Sequence, residues 1–121
     1  MPIYETTVTL KGKLNEELDL QKHTEMLINT LKKIPELENI SIKNRKSYYG
    51  HWTEIQGHID MFGSLSSVLK KIEEGAPYNL IMRVSRNLDA NSFEDAQKMA
   101  YDWLKKIGQL LENDMNLKIS I

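Results

Sequence analysis

Residues 50–61, GHWTEIQGHIDM, decide how this chain folds. Thr53, Ile55, Gly57, Ile59 and Met61 fall on one side of the run, and Trp52, Glu54, Gln56, His58 and Asp60 on the other, because successive strand side chains point to opposite faces. One side is largely apolar and the other polar. Such a strand belongs to a sheet packed on one face and open on the other. A parallel sheet buried on both faces would instead write continuous apolar strands.

The neighbouring segments repeat the pattern. Ile40 and Ile42 alternate with Ser41, Lys43 and Arg45 toward Tyr48-Tyr49-Gly50, where the glycine predicts a hairpin turn. Tyr4, Thr6, Val8 and Leu10 form the inward set of a first strand, with Glu5, Thr7, Thr9 and Lys11 outward and a break from Gly12 to Asn15. Tyr78, Leu80, Met82 and Val84 are the inward set of a fourth strand, with Asn79, Arg83 and Ser85 outward, Ile81 as the apolar exception, and a loop over 87–91. Leu117, Ile119 and Ile121, with Lys118 and Ser120 outward, make a last strand.

Other segments carry helical spacing. Leu20, Leu27, Leu31 and Ile34 follow Asp19 as a cap and run up to Pro35, which disfavours helix in the residue before it. Leu65, Val68, Leu69 and Ile72 predict a short helix capped by Ser64 and stopped by Gly75 and Pro77. Ser92, with Asp95 three residues on, opens the longest one. Its stripe is Phe93, Ala96, Ala100, Trp103, Ile107 and Leu110, widened by Met99, Leu104 and Leu111. Gly108 inside that stripe costs about 1 kcal/mol against alanine, which predicts a close contact with the sheet. The order βαββαβαβ describes an α+β two-layer sandwich: a mostly antiparallel five-stranded sheet with three helices on one face, in a single domain over 1–121.

Composition narrows the function classes. The chain has 121 residues, a formal net charge of -1 and no cysteine, so disulfides, thiolate metal sites and a cysteine nucleophile are excluded. Bulk charge announces neither nucleic acid nor membrane. Strand-like alternation follows Met1-Pro2 directly, without a signal-like apolar region, and no run approaches the ~20 apolar residues of a membrane span, so a cytoplasmic protein is expected.

The open face should carry Thr7, Thr9, Lys11, Lys43, Arg45, Glu54, Gln56, His58, Arg83 and Lys118. Tyr48, Tyr49, His51 and Trp52 crowd the hairpin beside Lys43, Arg45 and Lys46, a mixture that suits protein interfaces and, less well, single-stranded nucleic acid, because the aromatics sit at a turn rather than mid-sheet. Ile81 beside Arg83 adds a contact of the same kind. Arg86 and Asp89 flank the end of that strand. The expected function is therefore a non-enzymatic protein-interaction module of inhibitor or immunity type, with Arg45, Tyr48, Tyr49, Trp52, Ile81 and Arg83 binding the partner. No cofactor and no metal are expected, and a homodimer through an edge strand is compatible with this reading.

Two alternatives stand beside it. His58 and Asp60 share a strand face with Glu54 and could serve a small ligand or a hydrolase-like reaction, with Ser64 at a helix start offering backbone N–H groups to an anion. Polar residues on such a face also simply meet water, and a serine there simply caps. Nucleic-acid binding is the other alternative. His23, between Leu20 and Leu27, is expected at the edge of the core.

Overall fold

A computed structural model describes residues 2–14, 20–47, 50–59, 63–71 and 78–121. The strands are β1 (Ile3–Leu14), β2 (Leu37–Ser47), β3 (Gly50–Ile59), β4 (Gly63–Lys71), β5 (Tyr78–Asp89) and β6 (Lys118–Ser120), and the helices are α1 (Leu20–Leu31) and α2 (Phe93–Met115). The strands form one antiparallel sheet in the order β2-β3-β4-β5-β1-β6. Helix α2 lies chiefly on β1 and β5, and α1 packs on β3 and α2. The class is α+β, as expected, but the described residues hold six strands and two helices rather than five and three.

The difference lies in β4. Leu65 and Leu69 are four residues apart, a spacing that serves one face of a helix and one face of a strand equally. Between them Ser66, Ser67 and Val68 are poor helix formers, and β3 and β5 offer a hydrogen-bonding ladder on either side. The strand wins. Leu65, Ser67 and Leu69 are buried, while Ser64, Ser66, Val68 and Lys70 turn to the open face. Ser64 therefore caps no helix. Gly75 and Pro77, expected to stop that helix, lie outside the described residues, as does the expected cap Asp19.

Two strands run further than expected. β1 continues through Gly12 to Leu14, with Gly12 and Leu14 buried, and β5 reaches Asp89 instead of ending in a loop at Asn87. Their full-length pairing, from Ile3↔Asp89 to Leu14↔Tyr78, supplies the ladder bonds that carry both past their local breakers.

Helix α2 begins as the sequence indicates. Ser92 is extended, and its Oγ accepts from Asp95 N at 3.1 Å. At the other end Asn116 takes a left-handed conformation (φ 54°) and donates its N–H to Glu112 O. The buried stripe is Ala96, Ala100, Leu104, Ile107, Gly108, Leu111 and Met115. Phe93 and Met99, expected in it, are 53% and 46% exposed. Phe93 instead meets the Tyr4 ring edge-on at 6.2 Å. A Cβ on Gly108 would stand 3.3 Å from both Ile119 Cγ2 and Leu10 Cδ1, so the expected close approach of helix and sheet is present.

The core joins Leu10, Leu14, Leu27, Leu31, Ile55, Ile59, Leu65, Leu69, Leu80, Met82, Leu104 and Leu111. Polar tethers hold the helices on it. Thr53 Oγ1 donates to Asn44 Oδ1 at 2.8 Å and lies 3.1 Å from Thr24 Oγ1, linking β2, β3 and α1. Lys33 Nζ meets Asp114 Oδ2 at 2.6 Å, joining the end of α1 to α2. His23 is fully buried rather than at the core edge, with its ring 4.6 Å from that of Tyr78.

Candidate functional site

Among the described residues the helices leave the second face of the sheet open, and the register lines its side chains into rows. One row across the strands reads Arg45, Trp52, Lys70, Asn79, Lys13 and Lys118. The next reads Lys43, Glu54, Val68, Ile81, Lys11 and Ser120, and a third Ser41, Gln56, Ser66, Arg83 and Thr9. At about 4.8 Å per strand the first row spans about 24 Å. The chain as a whole carries slightly more acidic than basic groups. These first two rows nevertheless hold six cations and one carboxylate, Glu54. Charge is segregated by the register.

Trp52 and Glu54 form the fixed part of this surface. Both lie on the open face of β3, and Trp52 Nε1 donates to Glu54 Oε1 at 3.1 Å. Arg45 Nε reaches the same oxygen at 3.2 Å from β2, and Lys70 Nζ stands 5.3 Å from the centre of the indole ring. The Trp52 hydrogen bond, together with the positive charge of Arg45 and Lys43, holds the Glu54 carboxyl below its ordinary range, although desolvation pushes the other way. Glu54 is thus an ionised acceptor committed to its neighbours.

Beside that cluster sits a small apolar centre. Val68 is half-buried, Ile81 is 48% exposed, and the two are direct cross-strand partners with Lys11 on the far side of Ile81 and Arg83 next on its own strand face. Glu54 borders the pair on the Val68 side, and Lys70 is the next open-face residue on the strand of Val68.

The expected partner-binding residues are brought together in part. Arg45, Trp52, Ile81 and Arg83 share the open face. Tyr48 and Tyr49 lie outside the described residues. Arg86 is on the helix side of β5, with its guanidinium 4.6 Å from the Trp103 ring centre, so it does not act with Arg83. Lys13, Val68 and Lys70 were not among the expected residues. The first was hidden by the apparent break at Gly12, and the other two by the helical reading of β4.

The alternative ligand site is less converged. His58 and Ser64 stand directly opposite each other on β3 and β4. Glu54 is about 13 Å from His58 along the strand at ~3.3 Å per residue, and Asp60 lies outside the described residues. Among the described residues no cluster of three His, Cys, Asp or Glu could hold a metal ion, and no helix is long and apolar enough to cross a membrane.

The chain matches no protein-family model and no curated protein sequence.

Proposed function

We propose that this protein is a non-enzymatic interaction module that docks an acidic surface of a protein partner on its open sheet face, as an inhibitor or immunity-type partner would. The carrying observation is the Val68–Ile81 pair bordered by Lys11, Lys70 and Arg83, with Glu54, opposite Val68, already engaged by Arg45 on its far side. The apolar pair supplies area that gains from leaving water, and the surrounding cations select for opposite charge and speed encounter. Nucleic acid is a poorer fit. Stacking needs an available aromatic face, and Trp52 has its edge bound to Glu54 and a lysine at its ring.

The test is capture of partners from the source cell by wild-type protein, Ile81→Asp, Lys70→Glu and the helix-side control Lys105→Glu. A protein partner with an acidic surface should be lost roughly tenfold or more with Ile81→Asp, weakened by Lys70→Glu and retained by Lys105→Glu. Retention unchanged by Ile81→Asp defeats the proposal. So does capture of nucleic acid alone, with affinity falling steeply as salt rises.

A further inference from the structure

The rim of the same surface has a feature that the docking face does not require. Among the described residues β2 is an outer strand of the sheet and pairs only with β3. Its stretch Ser41–Arg45 is exposed throughout. Lys43 and Arg45 lie on the open face, while Ile42, opposite the buried Ile55, faces the helix side yet remains 46% exposed. Outer strands normally carry a bulge or a charge that blocks pairing. Here the bulge is confined to the start of the ladder, between Glu38 and Ser41, where Asn39 is left-handed (φ 54°). From Ser41 onward the register with β3 is regular to Ser47↔Gly50.

We infer that β2 accepts an acidic, extended segment of the partner by strand addition, a binding mode that rests on the docking face proposed above. Each alternate residue of an outer strand turns its N–H and C=O away from the sheet, so an added strand finds a ready ladder. Acidic side chains on the added strand would face Lys43 and Arg45, and an apolar one on its other side would cover Ile42. A second copy of this chain is the wrong occupant. Antiparallel pairing of Ser41–Arg45 with itself sets Lys43 opposite or diagonal to Lys43 or Arg45 of the other copy, and like charges at those positions destabilise a sheet. The lysine and arginine thus reject self-pairing while selecting an acidic strand.

The test uses the full chain and a capped peptide of alternating glutamate and valine, Glu-Val-Glu-Val-Glu-Val-Glu, followed by amide NMR and hydrogen exchange. Expected are amide shifts over Ser41–Arg45, exchange at alternate β2 amides slowed roughly tenfold at saturation, and loss of binding when alternate peptide nitrogens are methylated. A lysine-valine peptide should not bind. Equal binding by the methylated peptide, absence of binding, or shifts confined to Lys70, Ile81 and Arg83 overturns strand addition. In those cases the docking face still stands if Ile81→Asp loses the captured partner. Concentration-dependent dimerisation that protects the same β2 amides, or protection of them by oligo-dT, overturns the acidic strand as occupant.

Discussion

Trp52 and Glu54, two residues apart on one face of β3, are joined by a 3.1 Å hydrogen bond that ends on the same carboxylate oxygen as the Arg45 ion pair. The indole therefore reports the ionisation of Glu54. A folded pKa below the ordinary value means the interaction is fully present at neutral pH and is lost as pH falls through that lowered value. In a Trp103→Phe background, Trp52 emission should stay constant from neutral pH to about pH 5 and change with a midpoint below the ordinary carboxylate range. Glu54→Gln should abolish the transition. A midpoint at or above the ordinary glutamate value would show that the contact does not hold in solution.

The ladder around β4 makes a different demand on Gly63. A Cβ there would lie 2.9 Å from both Ile59 O and Ser85 O, main-chain atoms of the two flanking strands. Neither can move without disturbing its ladder. Gly63→Ala should destabilise by about 1–3 kcal/mol in denaturant melts, whereas ahead of a helix capped by Ser64 the same change would meet neither main-chain oxygen and cost little. Unchanged or raised stability contradicts the strand assignment.

Ser67 tests the same strand from its buried side. Its hydroxyl is enclosed and has no hydrogen-bond partner among the described residues. A buried polar atom left unsatisfied costs about 1–3 kcal/mol. Ser67→Ala should therefore leave stability unchanged or raise it by up to about 1 kcal/mol, since little volume is lost. A clear loss of stability in melts would mean that the hydroxyl has a partner.

Thr53 predicts the opposite sign. Its hydroxyl donates to Asn44 and lies within hydrogen-bond distance of Thr24, binding β2 and α1 to β3 from a fully buried position. Thr53→Val keeps the shape and removes both contacts. A loss of about 1–3 kcal/mol is expected, with faster hydrogen exchange in β2 than in β5. Exchange that rises equally in both strands would refute a local tether.

The Lys33–Asp114 contact gives stability a pH dependence. Lys33 first, helped by the Thr30 hydroxyl, holds the Asp114 carboxyl below its ordinary range. The contribution is present above the unfolded pKa and is lost as pH falls through the folded one. Between neutral pH and about pH 3, Asp114→Asn should lose less stability than wild type. Parallel curves for the two proteins would show no linkage at this carboxyl.

The alternating face of β3, the stripe of α2 and the Ser92 cap could all be read without coordinates, because each depends on the local period of side chains or on a single turn of backbone. The open face followed from the same local rule, and with it Arg45, Trp52, Ile81 and Arg83. Tertiary structure decided what spacing leaves ambiguous. Leu65 and Leu69 satisfy two periods at once, and only β3 and β5 on either side make that segment a strand; Gly12 and Asn87 look like breaks until β1 and β5 pair along their length. Cross-strand register then brought Lys70 to Trp52 and Val68 to Ile81, and sent Arg86 to Trp103 on the other face. Those contacts join residues distant in the chain, so no local pattern encodes them; they exist because hydrogen bonding between strands sets which residue lies opposite which.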